Sequence, residues 1–522
     1  MPVSTPGTPA VLTKHAEACT ARVLRSPGSM PATLPAEWAP PQAPDAADSQ
    51  QIRLAPAVGS SSSSSAVELT GPSSMKAASP QPTAALSSAT DLAKLLGPGI
   101  IFASSAIGVS HLVQCTRAGA LYGMAPSLAI VGGCLLKYPF YDFSSRFANV
   151  TGSSILDGYR NIGRWLIVTS FIFVLLTNPI NMAAIGVVTA AFCSSLFHTT
   201  ESATPAVSGL LFVGSGALLL LGGFKRLDQV IKCVTLLLVA TTLIAVLVAS
   251  GSAARDKEKE TPTDARAGGG GNVSNASADE SASMFSVEGG MFMVALTGWM
   301  PTPLDTGTTM NSLWTVERFK TSGFHPPLRL TLQEFAASYV GTALLALAFL
   351  ALGALLAPQP GTSLPNGAAA FADAVVDLYA SALGGWSVPL VGVSACCAMI
   401  GTLLTMLDGY ARTLVRAAVL CFDWRPTERA LTRAYAATLC AVGAVGYILL
   451  VAFPGSLHGL VDLATSLSFM VSPAVGAANW HLVTRRAFPE YARPPRWLRV
   501  TAAAGFICLV TASLLFFVGR VT

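Results

Sequence analysis

Long apolar stretches separated by short polar ones organise this chain. Runs long enough to cross a bilayer, about 20 residues each, fall near 95–117, 124–146, 163–197, 205–223, 228–249, 286–314, 331–357, 386–419, 433–452, 457–484 and 497–519. Eleven such runs predict an all-α polytopic membrane protein. The third and eighth exceed the minimum and read as tilted or kinked helices, with Pro179 inside the third.

Two blocks interrupt the pattern. Residues 1–91 are rich in Ala, Pro and Ser and include the run Ser60 to Ser65. Such a segment buries too little apolar surface to offset the entropy of ordering it, so it is expected to be a disordered cytoplasmic tail ahead of a membrane domain at 92–519. Its Lys14, Arg22 and Arg25 against Glu17 leave an organellar targeting peptide open, but no apolar core of a secretory signal is present. Residues 250–285 carry a mixed charge run from Arg255 to Glu260 and the glycines Gly268 to Gly271, and read as a flexible loop. Two glycosylation sequons start at Asn272 and Asn275, which matters only if this loop faces the outside.

Loop charge gives the orientation. Arg146, Arg160 and Arg164 lie between the second and third runs, Lys225 and Arg226 between the fourth and fifth, and Arg318, Lys320 and Arg329 between the sixth and seventh. The series continues with Arg412, Arg416, Arg425, Arg429 and Arg433, then Arg485, Arg486, Arg493, Arg496 and Arg499. The intervening segments 198–204, 358–385 and 453–456 contain no Lys or Arg. Positive residues favour the cytoplasmic side. The N-terminus is therefore expected inside, the C-terminus outside, and the sequons outside. The plasma membrane is the default expectation, with a vacuolar or plastid membrane as the organellar alternative.

Composition agrees. Of 522 residues, 52% are hydrophobic and 11% charged, against about 25% charged in soluble domains. That excludes an ordinary soluble enzyme. The net charge of +5 sits in short loops and is no sign of nucleic-acid binding. Ten Cys form no CxxC pair. No nucleophile–base triad, phosphate loop or metalloprotease motif occurs, so an enzyme is not expected.

Two of the apolar runs contain helix breakers. The first reads Ser104-Ser105-Ala106-Ile107-Gly108-Val109-Ser110-His111, after Gly97-Pro98-Gly99. The sixth reads Thr297-Gly298-Trp299-Met300-Pro301-Thr302-Pro303-Leu304-Asp305. Pro301 and Pro303 remove backbone donors, and Gly108 eases departure from the helix. Unwound backbone inside a membrane must be buried in protein or line a cavity, and a pair of such segments in corresponding positions points to a midplane substrate site. The first and sixth positions suit a five-plus-five inverted repeat.

The candidate side chains follow from these breaks. His111 either ligates a transition metal, shuttles a proton, or is simply packed against a carbonyl or hydroxyl. Asp305 is a costly intramembrane carboxylate that binds a cation, accepts a proton, or locks the broken helix. Met300 offers a soft thioether, and Ser105, Thr297 and Thr302 offer hydroxyl or carbonyl oxygens. Asp142 with Arg146 and Asp408 with Arg412 stand i to i+4 and read as fasteners of a cytoplasmic rim.

At these segments the sequence resembles the Nramp family of divalent metal ion transporters. The resemblance runs through Gly97-Pro98-Gly99, Ala118-Gly119-Ala120, Tyr122-Gly123, Thr151-Gly152-Ser153, Asp157-Gly158-Tyr159 and Gly223-Phe224-Lys225-Arg226-Leu227-Asp228. It covers roughly 92–519. It implies a LeuT-like inverted repeat with broken helices 1 and 6, a monomer, and import of manganese, iron or related divalent cations as substrate, generally with protons and without a resident cofactor. The family's Asp-Pro-Gly-Asn reads here Gly108-Val109-Ser110-His111, so the metal-binding aspartate falls at Gly108 and the asparagine at His111. Its Met-Pro-His reads Met300-Pro301-Thr302, so the proton-linked histidine falls at Thr302. Its two carbonyl-donating alanines fall at Ser105 and Thr297. The resemblance thus implies a metal site of His111, Met300, Ser105 and Thr297, with Gly108 and Thr302 on the substrate path; Asp305, one helical turn past Thr302, is the acid expected to supply the charge that Gly108 lacks. The alternatives are a transporter of the same architecture carrying a non-metal solute, and a non-transporting membrane sensor.

Overall fold

The computed structural model describes residues 98–259, 284, 286–356, 364–365, 367–453 and 457–521. The expected tail at 1–91, and the part of the expected loop from 260 to 283 that carries both sequons, lie outside the described residues. Among the described residues the regular structure is helical throughout.

Fourteen helices are named here in chain order. They are α1 (Pro98–Ala106), α2 (Ser110–Tyr122), α3 (Ser127–Thr151), α4 (Ile155–Ile162) and α5 (Arg164–Leu196). Then come α6 (Thr204–Lys259), α7 (Val287–Trp299), α8 (Leu304–Ser322), α9 (Leu328–Leu356) and α10 (Ala368–Leu383). The last four are α11 (Val388–Cys421), α12 (Glu428–Ala452), α13 (Leu457–Thr484) and α14 (Arg496–Val521).

Seven described helical stretches are long and apolar enough to cross a membrane, and the pair α1 and α2 adds an eighth if it is one bent span. The remaining expected spans take other forms. The run at 124–146 is α3, which carries Lys137, Asp142 and Arg146 among its buried residues. The run at 286–314 is divided into α7 and α8. The runs at 205–223 and 228–249 belong to one unbroken helix, α6, rather than to two helices joined by a turn. No proline interrupts residues 222–228, and glycine and charge alone only weaken a helix. The same helix continues past Ser250 to Lys259, into the segment expected to be loop, through Ala, Arg, Lys and Glu residues that favour helix.

Two helices have no counterpart among the eleven runs. Short α4 is set by a capping box in which Ser154 and Asp157 satisfy each other's backbone donors. Helix α10 occupies part of 358–385, expected to be loop. Its Phe371, Ala372, Val375 and Tyr379 are buried at helical spacing, and only Asp373 and Asp377 break the apolar pattern.

Helix packing brings α5 against α11 and α12, α9 against α2 and α3, and α8 against α3. The crossing of α2 with α9 depends on two glycines that face each other's backbone. A Cβ at Gly119 would lie 2.1 Å from the Leu350 carbonyl oxygen, and one at Gly353 would lie 2.2 Å from that of Thr116. Small residues at such crossings let helices approach where no hydrophobic effect drives them together.

Polar bonds at the helix ends tie distant loops together. Arg416 pairs with Asp157, Arg160 with Asp423 at 2.9 Å, and Arg146 donates to the Ala492 carbonyl at 3.0 Å. Asn149 donates to the Pro326 carbonyl at 3.0 Å. At the other ends of the bundle Ser195 donates to Asp373.

Arg412 and Asp408 are more deeply placed than a rim fastener. Both are buried, with the Arg412 Nε 2.9 Å from the carboxylate. Asp408 also accepts from the Tyr435 hydroxyl at 2.6 Å and the Trp314 indole at 3.2 Å, while Glu317 lies 3.6 Å from Arg412. This joins α8, α11 and α12. Removing one member of a buried ion pair leaves the other charge uncompensated, at a cost of about 3–5 kcal/mol. Arg412→Met is therefore expected to lower the apparent melting temperature of the detergent-purified protein sharply. Arg160→Met, whose partner Asp423 is exposed, is expected to leave it unchanged.

Candidate functional site

Two helix interruptions lie against each other inside the bundle. Helix α1 ends at Ala106 and α2 begins at Ser110, the pair bent by 48°. The first turns of α2, Ser110–Cys115, are π-wound. Helix α7 ends at Trp299, and α8 restarts at Leu304 after Met300, Pro301, Thr302 and Pro303. Proline at 301 and 303 removes two amides that a continuous helix would direct at the carbonyls of Thr297 and Trp299.

At the first interruption neighbouring hydroxyls take over the freed carbonyls. The Thr402 Oγ1 of α11 lies 3.1 Å from the Ser104 carbonyl and 3.2 Å from that of Ile107. The Ser110 hydroxyl lies 2.8 Å from the Ala106 carbonyl. The α1 N-terminus is held by Glu334 of α9, which accepts from the Gly99 amide at 2.9 Å.

At the second interruption the partners come from one face of α3. The Lys137 Nζ donates to the Thr297 carbonyl at 2.8 Å, the Gly298 carbonyl at 3.0 Å and the Thr302 carbonyl at 3.5 Å. The Tyr141 hydroxyl, one turn on, is 2.7 Å from the Thr302 carbonyl and 3.0 Å from that of Pro303. Ser144 donates to the Thr308 carbonyl in α8. Spacing of i, i+4 and i+7 places the three on one stripe.

A narrow cavity opens between the interruptions. Ser105, Ser110, Trp299, Thr302, Thr402 and Met406 contribute to its lining, and every residue of that lining is uncharged. Its volume is about 10 Å³, and the Ser105, Ser110 and Thr402 hydroxyls on its wall bond to backbone carbonyls.

The expected site residues separate on inspection. Ser105 and Thr302 both line the cavity. Gly108 lies at the first interruption, and a Cβ there would meet the Thr402 side chain at 2.7 Å. The place of an aspartate side chain is thus filled by a β-branched residue held by its own hydrogen bonds. His111 is fully buried and turned to α9, with Nε2 3.0 Å from the Thr342 carbonyl and Nδ1 2.8 Å from the Ser110 hydroxyl. A carbonyl only accepts, so Nε2 carries the proton, while Nδ1 and the Ala106 carbonyl both face the single proton of the Ser110 hydroxyl. Both ring nitrogens then have partners within the protein.

Met300 is buried with Sδ 3.5 Å from the Cys115 thiol. Asp305 is buried in the first turn of α8, and neither carboxylate oxygen has a hydrogen-bond partner. Thr297 bonds its hydroxyl back to its own helix at 3.0 Å, and its carbonyl, expected on a metal, receives Lys137. Among the described residues no three His, Cys, Asp or Glu side chains gather where they could hold a metal ion.

Lys137, Tyr141, Trp299 and Thr402 are the site residues that motif reading passed over. A signal existed for one of them: an ionisable residue inside an apolar run, as Lys137 is, marks function by default. Thr402 and Tyr141 carry no such mark, because isolated hydroxyls are common in membrane helices.

The fold and the paired interruptions define a polytopic, LeuT-like membrane protein. A manganese transporter of Eremococcus coleocola, crystallised with an aromatic bis-isothiourea compound, superposes with a TM-score of 0.60 at 14% identity, covering 83% of this chain and 88% of that one. MhsT in complex with L-phenylalanine gives 0.54 at 14% identity, over 81% and 98%. Mhp1, a nucleobase-cation-symport-1 family transporter with bound bromovinylhydantoin, gives 0.51 at 15% identity, over 82% and 89%. No protein-family model matches the sequence. The chain belongs to the same family as uncharacterized protein PM0681 of Pasteurella multocida (strain Pm70), to which it is 31% identical over 391 residues, 75% of this chain and 85% of that protein.

The crowding at Gly108 yields an expectation that separates space from charge. Gly108→Asp forces the new side chain against Thr402, an overpacking cost of about 1–3 kcal/mol. The double variant Gly108→Asp with Thr402→Ala relieves the contact. Its melting temperature is expected to exceed that of the single variant, and equal values would show that the two positions are not coupled.

Proposed function

We propose that the chain is a secondary transporter moving a small, polar, uncharged solute across a membrane by alternating access around the two interruptions. The observation that carries this reading is the uncharged lining of the cavity between them, in which Ser105, Ser110, Trp299, Thr302 and Thr402 stand among apolar side chains. Transported solutes in broken-helix proteins bind near the midplane where helix ends face the cavity. Here the freed carbonyls nearby are already bonded to Lys137, Tyr141, Ser110 and Thr402. A solute carrying two positive charges would find no carboxylate in the lining to offset its desolvation.

A divalent cation of the manganese, iron or zinc class, with or without protons, is the second reading. It is favoured by the likeness to the manganese transporter and by Met300 and the buried carboxylate of Asp305 beside the second interruption. In that reading Ser105, Thr297 and His111 would have to leave their present bonds to reach the ion.

We place the N-terminus in the cytoplasm and the C-terminus outside. Supporting this, loops assigned to the cytoplasm bond to one another through Asp157 and Arg416, Arg160 and Asp423, Arg146 and Ala492, and Asn149 and Pro326. The opposite side has its own bond between Ser195 and Asp373. The chain acts as a monomer in this reading.

Proteoliposomes test both substrate classes. Manganese accumulation with the wild-type protein is expected to equal that of protein-free vesicles. Uptake that exceeds the blank and collapses in Asp305→Ala would instead establish the metal reading. In parallel, a thermal-shift panel of small uncharged solutes is expected to yield a compound that raises the melting temperature by mass action. That shift is expected to vanish in Trp299→Ala.

A further inference from the structure

A helix that stops inside a membrane leaves carbonyl oxygens without amide partners, and its C-terminal end carries partial negative charge. In the interior these oxygens need a positive or donating group, because water does not reach them. The C-terminal end of α7 is such a place. Its Thr297 and Gly298 carbonyls, with the Thr302 carbonyl inside the interruption, surround the Lys137 Nζ at 2.8, 3.0 and 3.5 Å, and the Thr297 carbonyl also takes the Met300 amide at 3.3 Å. An ammonium has three protons and this one meets three acceptors. The side chain is 1% exposed. Because the acceptors lie on both sides of Met300 and Pro301, the one charge holds the end of α7 to the segment that leads into α8.

The charged and titratable surroundings are few. Asp305, in the first turn of α8, is the acidic side chain acting on Lys137. The Cys134 thiol lies on the same helix one turn earlier, and the Cys134 carbonyl accepts from the Tyr339 hydroxyl of α9 at 2.7 Å. Tyr141 gives its hydroxyl to the same carbonyl group as Lys137. Asp142 and Arg146, further along α3, pair with each other at 2.8 Å. Each half-helix end at the second interruption therefore meets an opposite charge from the protein itself: Lys137 at the carbonyl end of α7 and Asp305 at the amide end of α8.

We propose that the Lys137 ammonium is the resident cation of a carbonyl site at the second interruption, taking the place of an inorganic cation there. Lys137 is a specificity-determining residue in this sense: while its charge occupies those oxygens, no free metal or alkali ion can use them. The protein then carries its solute without an inorganic cation bound at this interruption. The inference goes beyond the transport reading, since it concerns what fills the carbonyls rather than what fills the cavity.

The test reads stability rather than transport, so it can fail while the transport reading stands. Full-length protein is purified in detergent in N-methylglucamine chloride, and NaCl, KCl or MnCl2 is titrated at constant ionic strength. The wild-type melting temperature is expected not to change. Lys137→Ala is expected to melt several degrees lower in N-methylglucamine and to recover saturably with Na+ or K+, as mass action requires when a vacated site is refilled. Methylammonium, a free analogue of the lost group, is expected to restore it as well, and Lys137→Gln, whose amide still reaches a carbonyl, to lie between. Saturable stabilisation of the wild type by Na+, K+ or Mn2+ together with an unresponsive Lys137→Ala would overturn the proposal. So would a Lys137→Ala variant that loses stability which no cation restores, since the lysine would then be a packing residue alone. If Lys137→Ala is recovered folded only when purified in Na+ or K+, the proposal stands; if no salt recovers either variant, it does not.

Discussion

The need to bond every backbone carbonyl inside an apolar bundle governs this structure. Each interruption of a helix frees carbonyls, and each must be met by a side chain from a neighbouring helix. At the first interruption Thr402 and Ser110 supply neutral donors. At the second, Lys137 and Tyr141 supply a charged and a neutral one. Ser110 lies on α2 itself, whereas Thr402 lies on α11 and Lys137 and Tyr141 on α3, helices that also pack against the interrupted segments. The interruptions are therefore built features, fixed by the rest of the bundle.

This arrangement has a consequence for chemistry. Charge near the cavity is kept out of the lining, with Lys137 on carbonyls and Asp305 in the first turn of α8. The lining itself is without charge, a mixture of hydroxyl-bearing and apolar residues with one tryptophan. The likeness to a manganese transporter, at 14% identity, is a likeness of fold. The site residues within that fold decide the substrate.

The same economy of charge appears at the ends of the helices. Buried Arg412 is matched by Asp408 and Glu317, and buried Arg146 by Asp142 and the Ala492 carbonyl. Such pairs hold α8, α11 and α12, and α3 with the segment before α14, in one relation.

Much of the helical layout was legible beforehand, because a bilayer demands about 20 apolar residues per crossing and breakers stand out against them. Both interruptions were readable from Gly108, Pro301 and Pro303. The unbroken α6 and the extra α10 were not, since Gly222, Lys225 and Asp373 look like ends of apolar runs whether or not the helix stops there. The site was legible only in part. Sequence order puts Ser105 and Thr302 at the interruptions, and both line the cavity. It does not tell that His111 turns to the Thr342 carbonyl, that Thr402 fills the space beside Gly108, or that the Thr297 carbonyl receives Lys137. Local pattern determines where a chain leaves the helix, because breakers act on their own backbone. Which side chain meets the freed oxygens depends on helices far apart in sequence, and only their packing decides it.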